Sequence, residues 1–269
     1  MAADVSGLKR IDMGIVSKLL RYTPFYSLYK SKLKSKAEKE HRESEERLLP
    51  KRISFYKRFI NEGDLVFDVG ANVGNRIEAF LQLNAEVIAV EPQPSCVIIL
   101  QQKFGNKITV EPVGLSDIPG ELTMHLATDS TVSSFNTEFI QKTKQRFKSS
   151  EWNREIKVPV TTLDKLIAKH RLPGFCKIDV EGFELQVLKG LSSPIPYLSF
   201  EYCVPEMTDS MIGCAKQLHQ LSPSGLFNYS IGETMELASH EWISLEKFIH
   251  LARSTQFTNT LFGDIYFKS

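Results

Sequence analysis

The stretch FDVGANVGN, Phe67–Asn75, follows an apolar run and places two glycines four residues apart just after an aspartate. A glycine-rich turn between a strand and a helix lies where α/β folds bind their ligands. The spacing differs from the G-x-G-x-x-G of pyrophosphate loops, because Asn72 stands where the close-approach glycine would be. The stretch therefore predicts an α/β fold, and the charge of Asp68 disfavours a phosphate ligand.

Around this stretch, short apolar runs alternate with helical segments from about residue 61 to the C-terminus, which indicates a sheet covered by helices on both faces. The predicted strands are LVFDVG, EVIAVEP, ITVEPVGLSD, FCKIDVEG, YLSFEYC, GLFNYSI, TMELA and GDIYFKS. The predicted helices cover about 74–83, 94–104, LDKLIAKH after a cap at Thr161 or Thr162, FELQVLKG, 208–221 and SLEKFIHLARS. We expect a Rossmann-like, mostly parallel sheet whose last part turns antiparallel.

Residues from about 120 to 160 interrupt this alternation. They contain an extended stretch GELTMHLA, a polar loop TDSTVSSFN and a short basic helix TEFIQKTKQRFKSSEW, which we interpret as an insertion near the acceptor site. His125, Ser133 and Ser134 are its candidate substrate contacts. The alternatives are a histidine satisfied within a sheet and a simple polar turn.

The 269 residues have a net charge of only +1, but the charge is divided along the chain. Residues 1–60 carry 15 Lys/Arg against 7 Asp/Glu, and residues 61–269 carry 18 against 25. We predict a basic, helical N-terminal extension over 1–60 and one domain over 61–269. The extension has an aromatic and lysine cluster, 22–36, for which contact with a membrane surface and packing on its own domain remain alternatives.

Cysteine spacing and hydropathy bear on the compartment. The four cysteines show no paired spacing, which disfavours zinc and a disulfide framework. No apolar run reaches the roughly 18 residues of a membrane-spanning helix, and the N-terminus lacks the apolar segment of a secretory signal. We expect a cytoplasmic protein, with peripheral contact at the inner face of the membrane as an open alternative.

The acidic residues beside the glycine loop favour a ligand with positive charge and an amino acid end, such as S-adenosylmethionine. Asp68 would support its cationic part, and the loop N–H groups its carboxylate. Glu91, 21 residues beyond Gly70 in AVEP, is placed like the acidic residue that binds ribose hydroxyls. The alternatives are a solvated glutamate beside an ordinary turn, or a nicotinamide oxidoreductase, which would need a true pyrophosphate loop.

A second acidic group follows the predicted fourth strand, in KIDVEGFELQVLKGL. Asp179 and Glu181 are two residues apart and share one side of an extended segment. Glu201, at the end of the fifth strand in SFEYC, is expected to join them. Carboxylates in such a crevice accept a hydroxyl proton or hold a divalent cation, and we predict the former and no metal.

Together, FDVGANVGN, AVEP, TTLDKL and KIDVEGFELQVLKG resemble the FkbM family of methyltransferases over about residues 63–203. The resemblance implies a seven-stranded class I methyltransferase fold, S-adenosylmethionine as donor, and methylation of an oxygen on a sugar or natural product. It implies that the donor contacts are Asp68, Gly70, Ala71, Asn72, Gly74, Glu91, Pro92, Ser116 and Asp179.

These observations predict an S-adenosylmethionine-dependent O-methyltransferase acting on a saccharide hydroxyl of a cell-surface glycan, or on a secondary metabolite. Its catalytic candidates are Asp179, Glu181 and Glu201. A nucleic-acid or protein methyltransferase is an alternative, but no N-P-P-F or D-P-P-Y stretch is present and we expect no nucleic-acid partner. A non-catalytic S-adenosylmethionine-binding module is the other alternative, and the oligomeric state is left open.

Overall fold

The computed structural model describes residues 44–269, of which Leu49–Ser269 form one compact unit. The aromatic and lysine cluster predicted to meet a membrane or pack on the domain, 22–36, lies outside the described residues. The first described helix, α1, spans 44–56, and Phe55 and Tyr56 are buried in the core. No helix within 44–269 is long and apolar enough to cross a membrane.

A seven-stranded sheet forms the centre of the fold, in the order β3-β2-β1-β7-β8-β10-β9. Its strands are β1 Leu65–Val69, β2 Glu86–Val90, β3 Thr109–Glu111, β7 Phe175–Ile178, β8 Tyr197–Cys203, β9 Leu226–Tyr229 and β10 Phe262–Lys268. The first five in this order run parallel, and β10 is antiparallel to both β8 and β9. The predicted Rossmann-like sheet with an antiparallel end is confirmed.

Helices cover the sheet on both faces, and all except the short α9 lie within predicted segments. They are α2 Ile77–Gln82, α3 Pro94–Phe104, α4 Thr137–Thr143, α5 Leu163–His170, α6 Glu184–Lys189, α7 Thr208–Leu221, α8 Leu245–Ala252 and α9 Thr255–Thr258. Thr162 is the N-cap of α5, with its side chain accepting from the N–H of Lys165. The helix predicted from residue 74 starts at Ile77, because Gly74 has a left-handed φ of 81°.

Two strand predictions were wrong in detail. TMELA forms no strand, because Met235 adopts a left-handed φ of 53° and is buried as part of a turn. The third predicted strand is split: β3 ends at Glu111, Pro112 interrupts the chain, and β4 Gly114–Leu115 joins a second sheet.

The insertion forms this second, three-stranded sheet, with the order β4-β6-β5. Its long strands, β5 Gly120–Ala127 and β6 Trp152–Thr161, pair antiparallel. A short 3₁₀ turn, Ser130–Val132, and helix α4 lie between them. The strand predicted at GELTMHLA is confirmed. The helix predicted over TEFIQKTKQRFKSSEW forms only at Thr137–Thr143, and its last residue, Trp152, begins β6.

Alternate residues of each central strand enter two separate apolar clusters, one on each face of the sheet. Phe67 and Val69 belong to the cluster that includes α7, while Val66 belongs to the cluster that includes Phe55 and Tyr56 of α1. Asp68 lies between Phe67 and Val69 and so faces the α1 side. The carboxyl end of the sheet therefore has buried polar groups on the face covered by α1.

Candidate functional site

The loop after β1 is shaped by two glycines in left-handed conformations, Gly70 and Gly74, with φ of 82° and 81°. A Cβ on Gly70 would lie 1.7 Å from the backbone oxygen of Asp179. A Cβ on Gly74 would lie 2.4 Å from Cε2 of Phe104. The glycines thus let this loop lie directly against the loop after β7 and against helix α3.

Four backbone amides of this loop already donate hydrogen bonds inside the protein. The N–H groups of Gly70 and Ala71 donate to the oxygen of Val90, at 2.9 and 3.1 Å. The N–H of Asn72 donates to Oε2 of Glu91 at 2.8 Å, and the N–H of Gly74 donates to the oxygen of Ala71 at 2.8 Å. A ligand carboxylate at this edge of the sheet would need other donors.

Asp68 and Glu91 lie at the carboxyl ends of the adjacent parallel strands β1 and β2, and both are 2% exposed. Burial raises the pKa of Asp68 to about 6, against the attraction of Lys177, and raises the pKa of Glu91 to about 7. Glu91 also accepts from the N–H of Gln93 at 2.7 Å. Each of its oxygens keeps a second lone pair, so it can still receive ribose hydroxyls.

The three candidate catalytic carboxylates are brought together, with one oxygen each of Asp179, Glu181 and Glu201 all within 4.8 Å of one another. They come from the ends of β7 and β8 and are half-buried. Glu181 holds a left-handed φ of 54°, which is uncommon outside glycine and is found at functional turns. The structure thus brings the three predicted carboxylates together, beside the loop that follows β1.

A buried lysine that sequence reasoning missed sets the charge of this cluster. Lys177 donates from Nζ to Oδ2 of Asp179 at 2.6 Å. Burial by itself would favour the neutral acid, but the Lys177 ammonium lowers the pKa of Asp179 below its ordinary value. Burial and the charge of Asp179 raise the pKa of Glu181 and of Glu201 well above their ordinary values. The only signal in the sequence was a lysine two residues before the first acid.

The same three carboxylates are the group of side chains, within the part of the chain that is described, that could hold a metal ion. Oxygen ligands of this kind suit Mg²⁺ or Ca²⁺. The ammonium of Lys177 already supplies positive charge to Asp179, however, and it would repel a divalent cation bound there. The electrostatics therefore favour proton chemistry over metal binding.

Glu184 supports the turn on which Asp179 and Glu181 lie. Its Oε1 accepts from the N–H groups of Val180 and Gly182, each at 3.1 Å. The sequence signal for this contact was the glutamate two residues after the glycine in DVEGFE. The turn is therefore tied to the start of α6 by a side chain that is itself buried.

The insertion lies on top of this turn. Ser134 is fully buried and donates from Oγ to the backbone oxygen of Glu181 at 2.7 Å. Asn136 donates from Nδ2 to the oxygen of Gly182 at 2.6 Å. A Cβ on Gly182 would lie 2.6 Å from Cβ of Phe139, so the start of α4 is in close contact with the turn. The geometry places the insertion next to the carboxylate cluster.

The insertion also reaches the loop after β1 through Ser130, a second residue that sequence reasoning missed. Nδ2 of Asn72 lies 3.3 Å from Oγ of Ser130, and Nε2 of Gln93 donates to the backbone oxygen of Ser130 at 3.1 Å. Trp152 holds this turn by donating from Nε1 to the oxygen of Val132 at 2.8 Å. The 3₁₀ turn therefore connects both predicted donor loops.

Three other candidates have structural partners. His125 exchanges two backbone hydrogen bonds with Ser134, and its Nδ1 lies 3.1 Å from Oε1 of Glu155, which are the contacts of a sheet histidine. The hydroxyl of Ser133 accepts from the N–H of Ala127 at 3.0 Å. The hydroxyl of Ser116 donates to Asp117 at 2.9 Å. Substrate or adenine contacts by these residues remain predictions.

Residues 68–219 match the methyltransferase FkbM domain. A curated relative, the hexuronic acid methyltransferase AglP of Haloferax volcanii, is 29% identical over 144 residues, which are 52% of this chain and 54% of the relative. The chain thus spans about half the length of that relative.

Two similar solved structures are methyltransferases. The precorrin-6y C5,15-methyltransferase of Geobacter metallireducens is 9% identical, with 81% of this chain and 86% of that chain covered and a TM-score of 0.43. The TehB-like SAM-dependent methyltransferase of Corynebacterium glutamicum is 10% identical, with 87% and 98% covered and a TM-score of 0.41. Sequence identities and TM-scores as low as these identify no substrate.

The family match covers more than half of the chain and includes the loop after β1, the acidic end of β2 and the turn after β7. The expected methyltransferase family is thereby confirmed. The chain belongs to the FkbM family of methyltransferases.

Proposed function

We propose that this protein is an S-adenosylmethionine-dependent O-methyltransferase that methylates a hydroxyl of a saccharide. The observation that carries the proposal is the contact between the loop after β1, the strand that holds Asp68, and the turn that holds Asp179 and Glu181, made possible by Gly70. This contact brings a site for a cationic donor next to three carboxylates that can receive a proton. The predicted division into an N-terminal extension, 1–60, and a methyltransferase domain, 61–269, stays part of the proposal.

The buried acids fit the donor. Asp68 would face the positively charged methionine end, and Glu91 would accept from the ribose hydroxyls. Gly70, Ala71, Asn72 and Gly74 would form the wall of the donor site, with Pro92 and Ser116 beside the nucleoside. When bound, S-adenosylmethionine supplies an activated methyl group, so the protein's main tasks are alignment and removal of one proton.

The three carboxylates of the cluster differ in charge state and would therefore have different roles. Lys177 keeps Asp179 ionised and holds it in place through the 2.6 Å ion pair. Glu181 and Glu201, whose pKa values are raised by burial and by Asp179, are stronger bases once ionised. With the donor bound, Glu181, with Glu201 as its neighbour, would receive the proton of the acceptor hydroxyl. The bound donor would supply the methyl group, whose bond to the sulfonium sulfur would break as the bond to the acceptor oxygen forms, leaving the neutral thioether. General base catalysis of this kind contributes about 10²- to 10⁴-fold.

A saccharide acceptor is supported by the name of the curated relative, a hexuronic acid methyltransferase. The test is incubation with methyl-labelled S-adenosylmethionine and two acceptor sets, hexuronic-acid-containing glycans and matched neutral glycans, followed by mass spectrometry of the product. We expect a methyl ether on a sugar hydroxyl. A third incubation uses an extract of the host, and label found there in nucleic acid or protein, with none in either glycan set, would overturn the acceptor assignment.

Substitutions test the roles of the acids. Asp68→Ala and Glu91→Ala should each weaken binding of S-adenosylhomocysteine in calorimetry, and unchanged affinity in both would refute the cofactor assignment. Glu181→Gln should lower turnover about 10²- to 10⁴-fold while binding of S-adenosylhomocysteine is kept. Glu121→Gln, on the exposed part of β5, is the matched control and should keep full turnover.

A further inference from the structure

Three buried polar atoms on the α1 side of the sheet have no hydrogen-bond partner in the described part of the chain: Oη of Tyr56, Nε of Arg76 and Oγ of Ser199. Buried polar groups in folded proteins are nearly always hydrogen-bonded, and leaving one unpaired is costly. Unpaired buried polar atoms of this kind need an explanation, and a bound polar ligand is one.

These atoms lie around the row of residues that includes Asp68. Asp68 pairs with Lys177 across β1 and β7, and Lys177 pairs with Ser199 across β7 and β8. Arg76 follows the glycine loop directly. Burial raises the pKa of the Tyr56 hydroxyl to about 12, and the charges of Arg76, Asp264, Lys177 and Glu233 also act on it.

Packing fixes the position of both side chains. The ring of Tyr56 contacts Phe80 and Phe175, with centroids 4.9 and 5.8 Å apart. Arg76 is held at its far end, where Nη2 donates to both carboxylate oxygens of Glu233 at 2.5 and 2.6 Å. This ion pair leaves Nε–H as a preorganised donor on the near side of the guanidinium group.

The chemistry of these atoms selects the ligand group. An arginine Nε–H only donates, and a tyrosine hydroxyl readily donates, so both are satisfied by one acceptor with several lone pairs. A carboxylate meets this need. The negative charge of Asp68, in the same region, attracts a positive group such as an ammonium. A ligand that carries a carboxylate next to an ammonium group has the amino acid end of a molecule such as methionine.

We infer that Tyr56 and Arg76 bind the α-carboxylate at the methionine end of the donor, while Asp68 faces its ammonium group. The inference rests on the proposed function and deepens it. It assigns a binding role to helix α1, which precedes the family match that begins at residue 68. It also explains why the loop amides need not take the carboxylate, since four of them are used internally.

Calorimetry with two ligands tests the assignment. S-adenosylhomocysteine has the amino acid end, and 5′-methylthioadenosine lacks it but keeps the nucleoside. Tyr56→Phe should weaken S-adenosylhomocysteine about 10- to 100-fold, as expected for loss of a hydrogen bond to a charged group, and leave 5′-methylthioadenosine unchanged. Arg76→Lys keeps the positive charge near Glu233 but removes Nε–H, and it should show the same selectivity.

Tyr202→Phe is the matched control. Tyr202 is also buried, but it belongs to the cluster on the other face of the sheet, and its hydroxyl contacts Ser230 and Thr260. This variant should lose stability and keep affinity for both ligands. Tyr56→Phe removes a hydroxyl that has no partner in the described residues, so urea unfolding should show no loss of stability.

The outcomes separate the two claims. Wild-type protein that binds neither ligand would overturn the proposed cofactor and this inference together. Wild-type protein that binds S-adenosylhomocysteine more tightly than 5′-methylthioadenosine, with Tyr56→Phe and Arg76→Lys behaving like wild type, would overturn the inference alone. An equal loss for both ligands in Tyr56→Phe would also overturn it, because the hydroxyl would then act on the nucleoside or on the fold.

Discussion

Replacing Gly70 by alanine tests whether close approach of two loops builds the site. Gly70 has a φ of 82°, and a Cβ there would lie 1.7 Å from the backbone oxygen of Asp179. The nearest atom belongs to the backbone, so no side-chain rotation can relieve the overlap, and the β1 and β7 loops must separate.

Gly63 provides a matched control, because its φ is 79° and a Cβ there would meet nothing within 4 Å. An alanine at either position bears the cost of the left-handed conformation, about 1–2 kcal/mol. Only Gly70→Ala adds the cost of forced overlap, about 1–3 kcal/mol. We expect the free energy of unfolding to fall by about 1–2 kcal/mol for Gly63→Ala and by about 2–5 kcal/mol for Gly70→Ala.

Urea unfolding of both variants gives the two differences in stability, and calorimetry with S-adenosylhomocysteine reports on the site. We expect Gly70→Ala to lose affinity, because the displaced loop carries Asn72 and begins directly after the strand that holds Asp68, while Gly63→Ala binds like the wild type. Equal destabilisation by the two substitutions, with unchanged affinity in both, would refute the argument that the glycine is required for contact between the loops.

Further predictions concern pH, metal and the insertion. Turnover should fall as pH is lowered, because the base must be ionised to accept a proton. Burial raises the pKa of Glu181 and Glu201, so the fall should occur at higher pH than for an ordinary glutamate. A pH profile with no loss of turnover above about pH 4.5 would contradict this. Affinity for S-adenosylhomocysteine should increase as pH rises through about 7, because Glu91 ionises there and then accepts more strongly from ribose hydroxyls. Calorimetry of Glu91→Gln should show a weaker dependence of affinity on pH. Prolonged treatment with a chelator should leave turnover unchanged, whereas a loss restored by Mg²⁺ would assign a metal to the carboxylate cluster. Ser134→Ala should lower the free energy of unfolding by about 1–3 kcal/mol in urea titrations, because it removes the acceptor of the partly buried N–H of Asn136 and the donor to the oxygen of Glu181. An unchanged midpoint would contradict the role of Ser134 as an anchor.

Local patterns in the sequence predicted most of the fold. Apolar runs followed by glycine or proline marked the central strands, and the helix over Thr208–Leu221 was predicted to the residue. TMELA was predicted wrongly as a strand, because its apolar residues serve a buried turn at Met235 rather than a ladder. Periodicity reports which residues are buried, and it does not distinguish burial in a strand from burial in a turn.

For the site, the sequence by itself determined which acids stand at the ends of which strands, because Asp68, Glu91, Asp179 and Glu201 each follow a recognisable apolar run. Tertiary structure alone decided what surrounds them. The ion pair of Lys177 with Asp179 is visible only once β7 is buried, because in an exposed chain two charges two residues apart interact weakly.

Contacts between segments far apart in the chain could not be predicted from the sequence either. Tyr56 of α1 and Arg76 after the glycine loop are 20 residues apart and have no distinctive motif around them. Tyr56 is buried and Arg76 is half-buried, and each has a buried polar atom that finds no hydrogen-bond partner among the described residues. The packing of α1 brings these segments together, since the ring of Tyr56 contacts Phe80 of α2 and Phe175 of β7. Residue spacing along the chain predicts strands, helices and the residues at their ends. Whether a buried polar atom has a hydrogen-bond partner depends on neighbouring segments that come together only in the folded sheet.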